Sequence, residues 1–315
     1  MTRKTWPLGA VATLLTLACG DRAKKPESAE YEPASSAAPI QVNWTAVEQA
    51  FGRTGAMQPG DVYKFGLPRR DLNVSVAGIQ VQPALALGSW VAFKATGSGV
   101  LAMGDLVLRE QEIEPVMARL AEGGIDVTAL HHHLLHETPR VYYMHIHGAG
   151  DAVGIARAIH AAIELTATPP QPGSPPPPSG GPLGLDTAQI ARALGHTGKV
   201  NGGVYQVGVA RPDTIRDGGV VIPPAMGVAT ALNFQPVAGG RAAITGDFVL
   251  GAAEVNPVLR ALRGHGIEVT ALHNHMLGEE PRLFFMHFWA VGDAATLAGG
   301  LRAALDVIGR PSGRP

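Results

Sequence analysis

Two stretches decide how this chain folds. Gly124–Asp151 reads GIDVTALHHHLLHETPRVYYMHIHGAGD, and Gly266–Asp293 reads GIEVTALHNHMLGEEPRLFFMHFWAVGD. At a constant offset of 142, residues 123–151 match residues 265–293 at 16 of 29 positions. The correspondence continues upstream at the same spacing. Gly104-Asp105 returns as Gly246-Asp247, Glu112 and Pro115 as Glu254 and Pro257, and Tyr63, Gly66 and Asp71 as Tyr205, Gly208 and Asp213. Self-similarity at one fixed period marks a duplicated structural unit, so the chain is read as two copies of one domain.

Between the copies runs Pro169–Leu183, PPQPGSPPPPSGGPL. Proline lacks an amide donor and locks φ, so such a segment stays out of helix and sheet interiors and serves as an extended linker. The expected organisation is a leader over 1–19, a flexible tether over 20–40, repeat domain 1 over 41–167, a Pro-rich linker over 168–183 and repeat domain 2 over 184–311. Within each copy the pattern predicts an opening helix near 44–52, short strands around 62–65, 72–76 and 91–94, and a strand over 100–108. A helix over 111–122 follows, with Ile113, Val116, Met117 and Leu120 at helical spacing. Residues 125–135 read as a strand, 136–139 as a turn and 141–147 as a strand. Asp151 and Asp293 are placed to cap a final helix. Strand runs interleaved with helices in this order argue for an α+β fold, with a mainly antiparallel sheet in each copy and the two copies paired as a pseudo-dimer.

Composition excludes several function classes. Lys+Arg number 25 against 26 Asp+Glu in 315 residues, so the chain lacks the broad basic footprint of a nucleic-acid binder. The same balance argues against a polybasic membrane-surface binder, and 5% aromatics is poor material for base-stacking platforms. The start is different in kind. Arg3 and Lys4 precede an apolar run from Trp6 to Ala18, too short to span a bilayer at about 20 residues, and Cys19-Gly20-Asp21 follows. This is the layout of a secretory signal, and Leu15-Thr16-Leu17-Ala18-Cys19 is similar to a bacterial lipobox in which Cys19 carries the lipid. Cys19 is the only cysteine. Disulfides within the chain, thiolate metal sites and thiol nucleophiles in the mature domains are therefore excluded. The expectation is an exported envelope protein held to the membrane through a lipid on Cys19.

The repeated blocks also resemble a known family. Gly88-Ser89-Trp90-Val91-Ala92-Phe93, Met103-Gly104-Asp105-Leu106 and Ala129-Leu130-His131-His132-His133…Pro139-Arg140…Met144-His145 are similar to the LppY/LpqO family of bacterial lipoproteins, whose domain is of unknown function. Both copies share the likeness. The second, with Ala271-Leu272-His273-Asn274-His275…Pro281-Arg282…Met286-His287, is closer to the family's usual form. The resemblance implies export and a lipid anchor, and no reaction.

Histidines carry the candidate chemistry. Of 12, six lie in 131–147 and three in 273–287. Residues i and i+2 of a strand share a face, so His131 with His133, and His273 with His275, point the same way. An even hairpin register adds His145, and His287 in the second copy. Glu137 and Glu279 lie near the turns. Two or three imidazoles and a carboxylate, without sulfur, form a ligand set for zinc, manganese or iron, with nickel and copper also compatible. The expected ligands are His131, His133, Glu137 and His145, and His273, His275, Glu279 and His287, one set per copy. Arg140 and Arg282 are placed either to bind a carboxylate or phosphate, or to pair with Glu137 and Glu279. The competing reading makes the histidines packing or interface residues.

Two enzyme patterns also compete. His131-x-His133-x-x-x-Glu137 has the spacing of a cupin metal motif, but the interleaved helices do not suit a jelly roll. His147-x-x-x-Asp151 with His131-x-His133 carries the ligand types of lysostaphin-type peptidases in reversed order. The readings that remain are a His-rich metal- or ligand-binding module of the envelope and, in second place, a metal-dependent envelope hydrolase of peptidase type.

Overall fold

Val100–Arg109 (VLAMGDLVLR) is buried along nearly its whole length, as a central strand covered on both faces must be. Its alternate residues divide between two cores. Val100, Ala102, Leu106 and Leu108 lie under the helices of their own repeat, whereas Leu101, Met103 and Val107 pack with residues of the other repeat. The computed structural model describes residues 38–170 and 183–309. The expected leader 1–19 with its Cys19, most of the tether 20–40 and most of the linker 168–183 lie outside the described residues.

Each repeat is a six-stranded sheet in which every neighbouring pair is antiparallel. In repeat 1 the strands lie in the order Ala56–Gln58, Val62–Pro68, Gly88–Ala95, Val100–Arg109, Val141–Gly150, Asp126–His131. Repeat 2 has the same order with Lys199–Asn201, Val204–Ala210, Ala229–Val237, Arg241–Gly251, Leu283–Asp293, Glu268–His273. Helices Trp44–Phe51, Glu110–Glu122 and Ala152–Ile163 cover one face of the first sheet, burying Val47, Phe51, Val116, Leu120, Ile155 and Ile159. Thr187–Leu194, Val255–Gly264 and Ala294–Leu305 do the same for the second. Asp151 and Asp293 accept the backbone N–H groups of Gly154 and Thr296 and start the last helix of each copy.

The uncovered faces of the two sheets meet, so the layers run helix, sheet, sheet, helix. This is the α+β pseudo-dimer of homologous repeats that the sequence pattern implies. Each repeat also sends its excursion between the second and third strands of its sheet across to the other sheet. The N–H of Gln82 donates to Gln235 Oε1 at 2.9 Å, and the Gln235 and Gln206 amides donate to the carbonyls of Gln80 and Ala84 at 2.7 and 2.8 Å. Leu72, Val74, Val76, Leu85 and Leu87 pack with Val204, Ala243 and Trp289, and Ile215, Ile222 and Met226 pack with Val62, Ala92 and Met103. At about 1.5–3 kcal/mol for each fully buried large aliphatic side chain, this shared core makes the repeats one unit.

Much of the repeat identity outside the histidines is structural. Arg69 is completely buried and donates to Glu112, Asp71 and the Val107 carbonyl. Arg211 does the same with Glu254, Asp213 and the Val249 carbonyl. A buried guanidinium needs this full set of partners, which explains why Asp71/Asp213 and Glu112/Glu254 recur at the same offset.

One expected element is shorter. The strand read over 125–135 ends at His131, and the chain leaves the sheet before Glu137–Thr138 joins Ser75–Val76 in a small separate sheet. The extended run of polar and apolar residues was compatible with either path. The ladder ends here because 132–136 form a loop that carries His133 over Tyr143, with ring centroids 3.2 Å apart.

Candidate metal centre

The site is built by one row across each sheet. Directly opposed residues share a face, and on the inner face of repeat 1 the row is Gly66, Trp90, Asp105, His145, Ala129. In repeat 2 it is Gly208, Ala231, Asp247, His287, Ala271. His131 lies opposite Tyr143 and so shares the face of His145, and His273 lies opposite Phe285. His133 and His275 reach the same face from the loops that follow.

Because the two inner faces are packed together, the expected two sites merge into one. The pair closest to the pseudo-two-fold is His131 and His273, with ring centroids 3.5 Å apart. On either side His133 stacks on His287 at 3.7 Å and His145 on His275 at 3.9 Å. Exchanging the repeats converts each of these pairs into the other. Thr128 and Thr270 seal the contact reciprocally, their hydroxyls donating to the carbonyls of His275 and His133. The expected residues of the two hairpins thus lie against one another: two of the three candidate ligand sets draw histidines from both repeats, and Asp105/His133/His145 lies within repeat 1.

Among the described residues, three sets of side chains have ligand atoms within 4.8 Å of one another: His131/His133/His273/His287, His145/His273/His275, and Asp105/His133/His145. The Nε2 atoms of all six histidines are buried without a hydrogen-bond partner, as are Oδ1 of Asp105 and of Asp247. The nearest carboxylate approaches are His275 Nε2 to Asp247 at 3.3 Å and His133 Nε2 to Asp105 at 3.9 Å. In His131, His273 and His287 the opposite ring nitrogen is occupied. Nδ1 of His131, His273 and His287 lies 3.1, 3.0 and 2.7 Å from the carbonyls of His132, Asn274 and Gly246. A carbonyl only accepts, so these Nδ1 atoms carry the proton and each Nε2 presents a lone pair to the cluster.

Electrostatics point the same way. Burial pushes His131 down to about 3, helped by His273, and His273 down to about 4. His133, His145, His275 and His287 are driven well below the usual range by burial and by one another. The rings are neutral, the form that binds metal. Burial raises Asp105 to about 8 and carries Asp247 well above the carboxylate range, with the Asp105 charge adding to it. Buried polar atoms are nearly always paired. Unpaired ring nitrogens gathered in three such sets suit a cation.

Other expected site residues lie elsewhere. Glu137 and Glu279 join none of the three ligand sets found among the described residues. Each accepts a backbone N–H from its own turn, Val141 at 3.1 Å and Leu283 at 2.9 Å, because the carboxylate follows the chain as it folds back. Arg140 is exposed, and Arg282 donates to Glu279 at 3.1 Å, so the pairing alternative holds for the second arginine. His147 faces Asp217 of the other repeat at 3.1 Å, and Asp151 is a helix cap. Asp105 and Asp247 were missed as site residues. The available signal was an acid in the middle of an apolar strand, LAMGDLVL, returning as AITGDFVL.

A cavity of about 790 Å³ opens between the sheets beside the cluster, and Asp105, Asp247, His133, His275 and His287 form its polar end. Lys64 lies on its wall, 4.0 Å above the Trp90 ring, with its ammonium donating to the Ala225 carbonyl at 2.9 Å.

A duplicated α+β domain that joins six histidines across its own pseudo-two-fold is the class this architecture defines. The chain belongs to the family described as Domain of Unknown Function (DUF1259), whose model matches residues 45–165 and 188–307. No curated protein sequence matches it. Among solved structures, the trimeric bacterial microcompartment shell protein PduB aligns at 15% identity and a TM-score of 0.21, over 81% of this chain and 89% of that one. EtuB from Clostridium kluyveri aligns at 9% and 0.20, over 80% and 90%. Neither likeness is close enough to carry an argument about fold or function.

Proposed function

We propose that this chain is an exported, lipid-anchored envelope protein whose two repeats together hold a divalent first-row metal ion, or a pair of them, at their shared interface. The supporting observation is that six buried histidines fall into overlapping ligand sets while their Nε2 atoms have no hydrogen-bond partner. Nitrogen and carboxylate donors without sulfur fit zinc, manganese or iron. His131, His133, His273 and His287 would hold one ion, with His145 and His275 in the dyad-related position and Asp105 and Asp247 within reach. The export and anchor part rests on the Arg3–Cys19 segment, and the pairing of the repeats is the only protein contact the reading requires.

Elemental analysis of protein purified without chelator is the test. The expected result is stoichiometric metal that is lost in the His131→Ala/His273→Ala protein. Protein that comes out free of zinc, manganese and iron, and takes up none on titration, would leave only the packing role for the histidines. A metal-dependent hydrolase is the second reading, supported by the cavity that opens onto His133, His275 and His287. Metal-dependent cleavage of peptide or ester substrates would separate it from a binding module.

A further inference from the structure

The symmetry of the molecule breaks at the cavity, and the break has a chemical sense. Most of the polar end is symmetric, with Asp105 matched by Asp247 and His133 by His275. So is the space above it. A Cβ added at Gly66 or at Gly208 meets no atom within 4 Å, and both glycines line the cavity. The side walls differ. Trp90 stands opposite Gly66 where Ala231 stands opposite Gly208, and Lys64 has Gln206 as its counterpart. Gln206 is spent, donating to the Ala84 carbonyl and accepting from Asn201. Lys64 is not. Among the described residues it makes no ion pair; its ammonium donates one hydrogen bond, to Ala225, and otherwise lies over the Trp90 ring, which leaves N–H groups free to meet an oxygen anion.

We propose that this cavity is the binding site of a small organic monocarboxylate, its head group on Lys64 and its apolar body along Trp90 and Leu85. A partly buried ammonium facing a cavity, with no carboxylate in ion-pair contact and only Asp105 acting on it from further off, suits an anion. The volume, about 790 Å³, lies in the range of about 300–1,000 Å³ usual for small-molecule sites. The walls beyond the ammonium are Leu67, Pro83, Leu85 and Trp90, which accept an apolar body. One lysine matches one negative charge. The exposed Arg70 at the rim adds positive charge on the entry side. With one cation and one indole, a ligand has one orientation in an otherwise two-fold space. The symmetric residues thus make the cluster and the room, and the asymmetric ones read the ligand. The inference extends the metal reading without resting on it, because Lys64 belongs to none of the metal-ligand sets.

The experiment is calorimetric titration, with tryptophan emission as a second readout, on chelator-stripped and on zinc-loaded protein. The probes are monocarboxylates from acetate to octanoate and 3-phenylpropionate, with 3-phenylpropionamide and 3-phenylpropylamine as uncharged and cationic controls. Saturable binding of the longer acids is expected, at least about tenfold tighter than the amide or amine. Lys64→Gln installs the residue repeat 2 carries and keeps the position polar, and its unfolding midpoint is compared with that of the parent protein. It should bring the acids to the level of the amide with metal content unchanged. Gly208→Val, which fills the space from the other side, should also block binding. Equal affinity for acid and amide, or full acid binding by Lys64→Gln, overturns the proposal, as does no binding of any acid to either form. Lys64-dependent binding by protein that takes up no metal would uphold this site and reject the metal reading. Metal uptake without it would do the reverse.

Discussion

The merging of two hairpin sites into one is open to a double-mutant cycle. His133 belongs to repeat 1 and His287 to repeat 2, yet their rings are 3.7 Å apart and both belong to one four-histidine set. With zinc held at 100 times its dissociation constant, metal adds about 2.7 kcal/mol of stability. That corresponds to roughly 5–11 °C in Tm, at about 2–4 °C per kcal/mol for a domain of this size. Changes outside the ligand shell already cost about 10–100-fold in affinity. Setting the loss of a ligand at about 100-fold leaves only about 0.4 kcal/mol of metal stabilisation in His133→Ala or in His287→Ala. The double variant cannot lose more than the whole about 2.7 kcal/mol, so the two changes are coupled by nearly 2 kcal/mol. Unfolding with and without zinc, each variant referred to its own chelator-treated form, measures this while cancelling lost ring stacking. If each hairpin were its own site, the two losses would add and each single variant would retain the metal of the other hairpin. Additive losses, or metal content falling by half in each single variant, would refute the composite centre.

Other outcomes follow from the same geometry. Glu112→Gln should cost about 1.5–3 kcal/mol in denaturant unfolding, the usual worth of a charge-assisted hydrogen bond, since Arg69 keeps Asp71 and the Val107 carbonyl, and Glu254→Gln should match it. Burial alone would raise Glu112, but the bonds from Arg69 and from the N–H groups of Arg109 and Ala167 hold it below the usual range. Its contribution is therefore complete above the unfolded pKa of about 4.3 and is lost as pH falls below it, so the acid limb of the stability profile should flatten in Glu112→Gln. Thr128→Val removes the hydroxyl donor from the His275 carbonyl and should cost about 1–3 kcal/mol, with a parallel loss of metal affinity, read by thermal shift with and without zinc. Replacing Cys19 by Ser should move the protein from the membrane to the soluble fraction, since stable attachment needs a lipid or another apolar anchor. Retention in the membrane fraction would remove the lipoprotein reading.

How much of this was legible beforehand depends on the range of the interaction. Duplication, the α+β layering of each copy and the clustering of nine histidines into two blocks are properties of local pattern, and a period of 142 with strand alternation is enough to state them. That His131 and His145 share a face is a register statement within one hairpin and is equally local. Glu137 and Glu279 looked like ligands because sequence proximity cannot tell a carboxylate aimed at a cluster from one that satisfies its own turn's N–H. Asp105 and Asp247 enter the site from different strands, and only sheet order sets them opposite His145 and His287. Pairing His133 with His287, and His145 with His275, depends on which faces of two sheets are buried together. That is decided by the summed apolar area of Val74, Leu85, Ile222, Met226 and their partners across the interface, a free energy that no single stretch of the chain contains. The sequence determined what each repeat is; the packing of the two sheets made two rows of histidines into one centre.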